Sequence, residues 1–153
     1  MPWADALVPC WPAARSSLIG PLGAGKTQLV KGIAAGNGQT DPTQVTSPSF
    51  VLVKEYPGRR YLYHVDAYRL KGGHDLDALG LDEMISPESA VVIEWADRVE
   101  DALPEDRLTI RIEPTGDTSR SFVLDAGGPF AQRLLMDVGR VSPALPGGRS
   151  PPC

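Results

Sequence analysis

The residues with the most explicit chemistry are Gly20-Pro21-Leu22-Gly23-Ala24-Gly25-Lys26-Thr27. They spell G-x-x-x-x-G-K-T, the P-loop pattern. Backbone N–H groups must approach a phosphate closely in such a loop, and glycine permits both the dihedrals and the approach. Lys26 then reaches the β- and γ-phosphates, and the Thr27 hydroxyl is suited to Mg²⁺. The candidate phosphate-binding set is therefore Gly20, Leu22, Gly23, Ala24, Gly25, Lys26 and Thr27, with Gln28 following in the first helical turn. A chain with 16 glycines also produces such spacings by chance, so the flanking elements decide.

Two carboxylates stand at the ends of apolar runs. Ala90-Val91-Val92-Ile93-Glu94-Trp95 reads as a buried strand that delivers an acid, the Walker B pattern, in which Glu94 would reach Mg²⁺. Its competitor is a strand whose last residue merely faces solvent. Asp66 closes Tyr61-Leu62-Tyr63-His64-Val65-Asp66, where it either acts on a ligand at the sheet edge or caps the following turn. Trp95 is either core or a ring near the nucleotide. Thr46-Ser47-Pro48-Ser49 supplies hydroxyls where switch loops of nucleotide-binding proteins sit. These hydroxyls either meet Mg²⁺ or a γ-phosphate, or make local turns.

The elements that must hold these groups follow from periodicity. Arg15–Ile19 is left for a strand before the loop, because Pro2, Pro9 and Pro12 break up what precedes it. Leu29, Val30, Ile33 and Ala34 give a helix over Lys26–Ala35, stopped by Gly36. Residues 50–56 and 61–66 predict an antiparallel hairpin around Pro57-Gly58-Arg59-Arg60. Residues 74–85 predict two short helical pieces, and 97–103 a helix stopped by Pro104. The alternation in 107–113, a turn at 114–117 and the run 121–124 predict a second hairpin at a sheet edge, followed by a helix over 130–138. Asp77-Ala78-Leu79-Gly80 matches D-x-x-G but has no strand before it and no N-K-x-D elsewhere, so it is read as coincidence.

The expected fold class is α/β: a P-loop NTPase-type mixed sheet flanked by helices, with antiparallel hairpins and an incomplete N-terminal strand and helix. The expected organisation is an irregular segment over 1–17, one ATPase domain over 18–138, and a disordered Pro/Gly-rich tail over 139–153. A net charge of −4 with pI near 5.1 argues against a broad basic surface that grips nucleic acid unaided. Cys10 and Cys153 form no metal or redox spacing, and no apolar run is long enough for a membrane span. Cytoplasmic residence is the expectation.

Taken in order, Leu22-Gly23-Ala24-Gly25-Lys26-Thr27, Thr46-Ser47-Pro48-Ser49-Phe50, His64-Val65-Asp66-Ala67-Tyr68-Arg69-Leu70 and Ile93-Glu94-Trp95 resemble the TsaE family, the P-loop ATPases of bacterial tRNA threonylcarbamoyladenosine synthesis. The resemblance covers residues 18 to 113. It implies a small Mg²⁺-dependent ATPase that joins TsaD and TsaB, touches tRNA only through that complex, and is not a membrane protein. TsaD would modify adenosine 37. By the same resemblance Lys26 and the loop amides hold phosphates of ATP, and Thr27 and Glu94 hold Mg²⁺. Asp66 serves hydrolysis, Trp95 lies near the site, and Thr46 to Ser49 form a switch-like loop. Pro21 and Gln28 replace residues common in the family, at positions the phosphate cradle does not need. The family's T-x-x-L-G helix start and fuller first strand are not seen here. Two other readings stand beside this one. A small-molecule or nucleotide kinase would use a P-loop and a strand-end Asp, although no arginine-bearing lid is apparent. A nucleotide-binding interaction module would show little turnover.

Overall fold

The structure, a computed structural model, describes residues 15–141. It is built on a six-stranded sheet in the order β2-β3-β4-β1-β5-β6. The strands are β1 (Arg15–Ile19), β2 (Val53–Tyr56), β3 (Tyr61–Asp66), β4 (Ser89–Glu94), β5 (Leu108–Pro114) and β6 (Arg120–Ala126). The helices are α1 (Lys26–Gly36), α2 (Gly73–Asp77), α3 (Leu81–Met84) and α4 (Pro129–Val141). Strands β3, β4, β1 and β5 pair in parallel, and β2 and β6 close the two edges as antiparallel partners of β3 and β5. This is the mixed sheet expected from the sequence, with both hairpins in place.

β1 is the central strand, although its residues Arg15, Ser16 and Ser17 carry little apolar signal. Ladders on both sides compensate: Ser17 lies opposite Ile93 on one flank and Thr109 on the other. Ser16 and Ser17 are buried, which small side chains allow between two neighbouring strands. The strand spans Arg15–Ile19, as the sequence predicts, and α4 runs to Val141, past the end at 138 expected for that helix. Cys10, Cys153 and the rest of the expected irregular N-terminal segment and Pro/Gly-rich tail lie outside the described residues.

Side-chain alternation sorts the core into two layers. Leu18, Leu62, Ala90, Val92, Ile110 and Ile112 face α1 and α4, where they meet Leu29, Ile33 and Leu134. Val65, Val91 and Ile93 face the opposite side, against Leu76, Leu81, Met84, Val99 and Leu103. β4 is buried along its whole length, as an apolar run covered on both faces should be.

Three local expectations are corrected. Residues 50–52 are not strand. Leu52 takes φ 65° and its N–H bonds the Pro48 carbonyl at 2.7 Å, so the chain curls and leaves Phe50 and Val51 exposed. Residues 97–103 do not form one helix. Two 3₁₀ turns, Ala96–Arg98 and Glu100–Ala102, are separated by Val99 at φ −134°. Trp95 is outside β4, at φ 59°, so the chain turns sharply just after Glu94.

Candidate functional site

Register brings the two carboxylates together. Asp66 and Glu94 are Cα partners at the ends of β3 and β4, and Glu94 is likewise opposite Leu18 in β1. All these strands are parallel, so their C-terminal ends share one edge, where the phosphate loop also leaves β1. Ligand sites of open α/β sheets sit at that edge. Leu62, His64 and Asp66 are spaced by two and lie on the α1 side, as do Ala90, Val92 and Glu94.

The loop itself explains its glycines. A Cβ on Gly20 would stand 2.5 Å from the Ile112 carbonyl oxygen, so the loop passes against β5 with no room for a side chain. Gly25 takes φ 107° as the N-cap of α1, a conformation costly for other residues. The N-terminus of α1 therefore faces the sheet edge, where its unpaired N–H groups favour an anion. Lys26 is buried; its Nζ donates to the Gly20 carbonyl at 2.6 Å and the Pro21 carbonyl at 2.9 Å. It also lies 3.7 Å from the Trp95 ring centroid. Burial pulls the Lys26 ammonium below the usual lysine range, while the charges of Glu94, Asp66 and Asp97 oppose that pull.

Glu94 is the hub. Thr27 Oγ1 donates to Glu94 Oε1 at 2.7 Å, and His64 Nε2 meets the same oxygen at 2.8 Å. His64 is fully buried and its Nδ1 has no hydrogen-bond partner. The proton therefore belongs on Nε2, where it bonds the carboxylate. Asp66 is tied as fully: Oδ2 accepts from Ser47 Oγ at 2.6 Å and Ser49 Oγ at 2.9 Å, and Oδ1 accepts from Tyr68 N–H at 2.9 Å. The Tyr68 bond is the turn-capping role open to Asp66 from sequence. The serine bonds are a second role, which anchors the hydroxyl loop to β3.

These groups surround a cavity of about 590 Å³, a size suited to a small-molecule ligand. Leu22, Gly23, Gly25, Lys26, Thr27, Gln28, Ser47, Ser49, Asp66, Glu94 and Trp95 line it, as sequence reasoning grouped them. Gly20, Ala24 and Thr46 do not line it. Gly20 backs onto β5, Ala24 is wholly buried, and the Thr46 hydroxyl instead accepts from Lys54. Phe50, Tyr68 and Arg69 complete the wall; the sequence motifs included them, but no role at the site was assigned to them. Tyr68 packs 4.9 Å from Trp95 between ring centroids, with the Arg98 guanidinium 4.9 Å from the Tyr68 ring. His64 was quoted from the sequence as part of the His64–Leu70 motif, without a role of its own. Its spacing of two from Asp66 in a strand was the available signal, because it puts both on one face.

Comparison with known proteins agrees with this architecture. The family described as "Threonylcarbamoyl adenosine biosynthesis protein TsaE" matches residues 4–122. A Bacillus subtilis protein named tRNA threonylcarbamoyladenosine biosynthesis protein TsaE is 40% identical over 125 residues, covering 81% of this chain and 77% of its own. A Streptomyces coelicolor protein of the same name is 45% identical over 107 residues, covering 67% of this chain and 70% of its own. The crystal structure of Bacillus subtilis YdiB superposes with a TM-score of 0.70 at 34% identity, over 90% of this chain and 84% of that one. With matches of this extent in both sequence and fold, the chain belongs to the TsaE family.

Proposed function

We propose that the chain binds and hydrolyses ATP, with Mg²⁺, as an accessory subunit of the machinery that installs threonylcarbamoyl on adenosine 37 of tRNA. The observation that carries this reading is the 2.7 Å hydrogen bond between Thr27 and Glu94, at a cavity floored by the phosphate loop. It pairs a loop hydroxyl with a strand-end carboxylate, the donor set that P-loop proteins use for Mg²⁺. No cluster of three or more His, Cys, Asp or Glu suited to a metal occurs among the described residues. Mg²⁺ takes one or two protein ligands and fills its octahedron with phosphate oxygens and water.

In this reading the amides at the start of α1 and the Lys26 ammonium bind the phosphates. Lys26 exchanges its bonds to the Gly20 and Pro21 carbonyls for bonds to phosphate oxygen. Thr27 and Glu94 hold Mg²⁺, which when bound neutralises charge that develops on the transferring phosphoryl group. His64 keeps Glu94 oriented. Asp66 holds Ser47 and Ser49 at the cavity wall, and the aromatic pair Tyr68 and Trp95 shields one side from water. The names of the relatives point to the tRNA threonylcarbamoyladenosine pathway. TsaD and TsaB are the proposed partners, tRNA is met only through them, and the compartment is the cytoplasm. No helix among the described residues is long and apolar enough to cross a membrane.

Steady-state phosphate release tests this reading, measured for the chain alone, with TsaB and TsaD added, and with candidate small phosphate acceptors. The expected result is Mg²⁺-dependent ATP turnover that rises when the partners are present, with water as the acceptor. Phosphorylation of a small acceptor without partner stimulation would replace this reading with a kinase. Binding without turnover under every condition would leave a nucleotide-binding interaction module.

A further inference from the structure

Arg120, the first residue of β6, reaches across to the phosphate loop although 96 positions separate it from Ala24. Its Nε donates to the Ala24 carbonyl at 3.0 Å, and Nη2 stands 3.5 Å from the Gly23 carbonyl. Nη1 donates to the Gly116 and Ser119 carbonyls at 3.0 and 2.7 Å, within the turn that joins β5 to β6. Arg120 takes no part in the Arg107–Glu100 ion pair. Its charge instead faces main-chain oxygens of two separate loops.

The peptide between Ala24 and Gly25 is trans, like every described peptide bond, so its C=O and N–H point in opposite directions. A donor that fixes the Ala24 carbonyl on the β6 side turns the Gly25 N–H away from β6. Gly25 lines the cavity. The φ of 107° that it must hold is one that glycine leaves readily, because many alternatives are open to it. A planar guanidinium can serve the phosphate loop and the hairpin turn together, whereas a lysine ammonium cannot span both with the same geometry.

We propose that Arg120 is a positioning residue for phosphate binding: from the edge hairpin it fixes the Ala24–Gly25 peptide so that the Gly25 N–H is presented to the bound phosphate. This rests on the nucleotide reading above. It makes the second hairpin part of the site, although none of its residues lines the cavity.

The test compares the parent chain with Arg120→Ala, Arg120→Lys and Thr115→Val. Thr115→Val removes a hairpin contact, the 3.0 Å bond from Thr115 Oγ1 to Ser119 Oγ, without touching the phosphate loop. ATP affinity is titrated without Mg²⁺, KM and kcat are separated, and hydrogen exchange of peptides spanning 22–25 is followed in the nucleotide-free chain. Arg120→Ala is expected to weaken ATP affinity about tenfold. KM should rise in step while kcat stays within about twofold, the pattern for lost uniform binding. Exchange at 22–25 should accelerate. Arg120→Lys keeps the charge and is expected to recover only part of the loss, and Thr115→Val to bind as the parent does. Parent-like affinity and exchange in Arg120→Ala would overturn the proposal. Should that variant not fold, the same result in Arg120→Lys would overturn it. Faster exchange in a chain that never binds ATP would sustain the loop contact and sink the nucleotide reading instead.

Discussion

Glu94→Ala is expected to reduce ATP turnover about a hundredfold or more, because a group that holds Mg²⁺ against the transferring phosphoryl contributes several kcal/mol to the transition state. The substitution also strips the Thr27 hydroxyl and the buried His64 of their shared acceptor. An unsatisfied buried donor costs about 1–3 kcal/mol, so the melting temperature should fall as well. Glu94→Gln separates the two effects. Its amide oxygen still accepts from Thr27 and His64, which preserves most of the stability, while the lost charge removes the attraction for Mg²⁺. Turnover titrated against Mg²⁺, beside a thermal melt, reads both quantities. A Glu94→Gln chain that melts and hydrolyses as the parent does would show that the carboxylate is structural only.

Asp66→Ala is expected to lower turnover on the order of a hundredfold, the lower end of what a positioned carboxylate contributes. It frees Ser47, Ser49 and the Tyr68 N–H together, so the loop that carries Phe50 loses its anchor on β3. Asp66→Asn decides what the carboxylate supplies. The amide oxygen can accept from the Tyr68 N–H while its NH₂ donates to the serine hydroxyl oxygens, so the anchor is kept without the charge. Near-parent turnover in Asp66→Asn would make Asp66 an anchor of the loop, and a loss equal to that of Asp66→Ala would require its negative charge at the site. Steady-state phosphate release from both variants, with proteolytic cleavage near Phe50 as a measure of loop order, is the measurement.

The sequence made some of this site readable and hid the rest for identifiable reasons. The phosphate loop and α1 are local: a glycine spacing and an apolar stripe over Lys26–Gly36 need no distant partner to be recognised. The β4 run Ala90–Ile93 was legible because burial on both faces removes alternation and leaves a continuous apolar stretch. The meeting of Asp66 with Glu94 was legible only as a pair of strand ends. Their register is set by long-range pairing that neither segment encodes alone. Residues 50–52 were read as strand because Phe, Val and Leu favour that state. The turn closed by the Leu52–Pro48 bond overrode the preference. The Thr46 hydroxyl was expected at the nucleotide, yet Lys54 from the neighbouring strand takes it, a contact that no local pattern announces. His64 stood in the His64–Leu70 motif, but only its phase with Asp66 hinted at where its side chain would lie. Arg120 carried none, because its contact with the phosphate loop exists only once β5 and β6 lie beside β1.

The central claim is that the loop from Gly20 to Thr27 holds the phosphates of ATP. Isothermal titration of ATP into the purified chain, with and without Mg²⁺ and beside Lys26→Ala, tests it most directly. Saturable binding at one site is expected, tightened by Mg²⁺, and weakened at least tenfold in Lys26→Ala, the loss that follows when a charge-assisted bond to phosphate is removed. Absence of binding by the parent chain, or equal binding by Lys26→Ala, would contradict it.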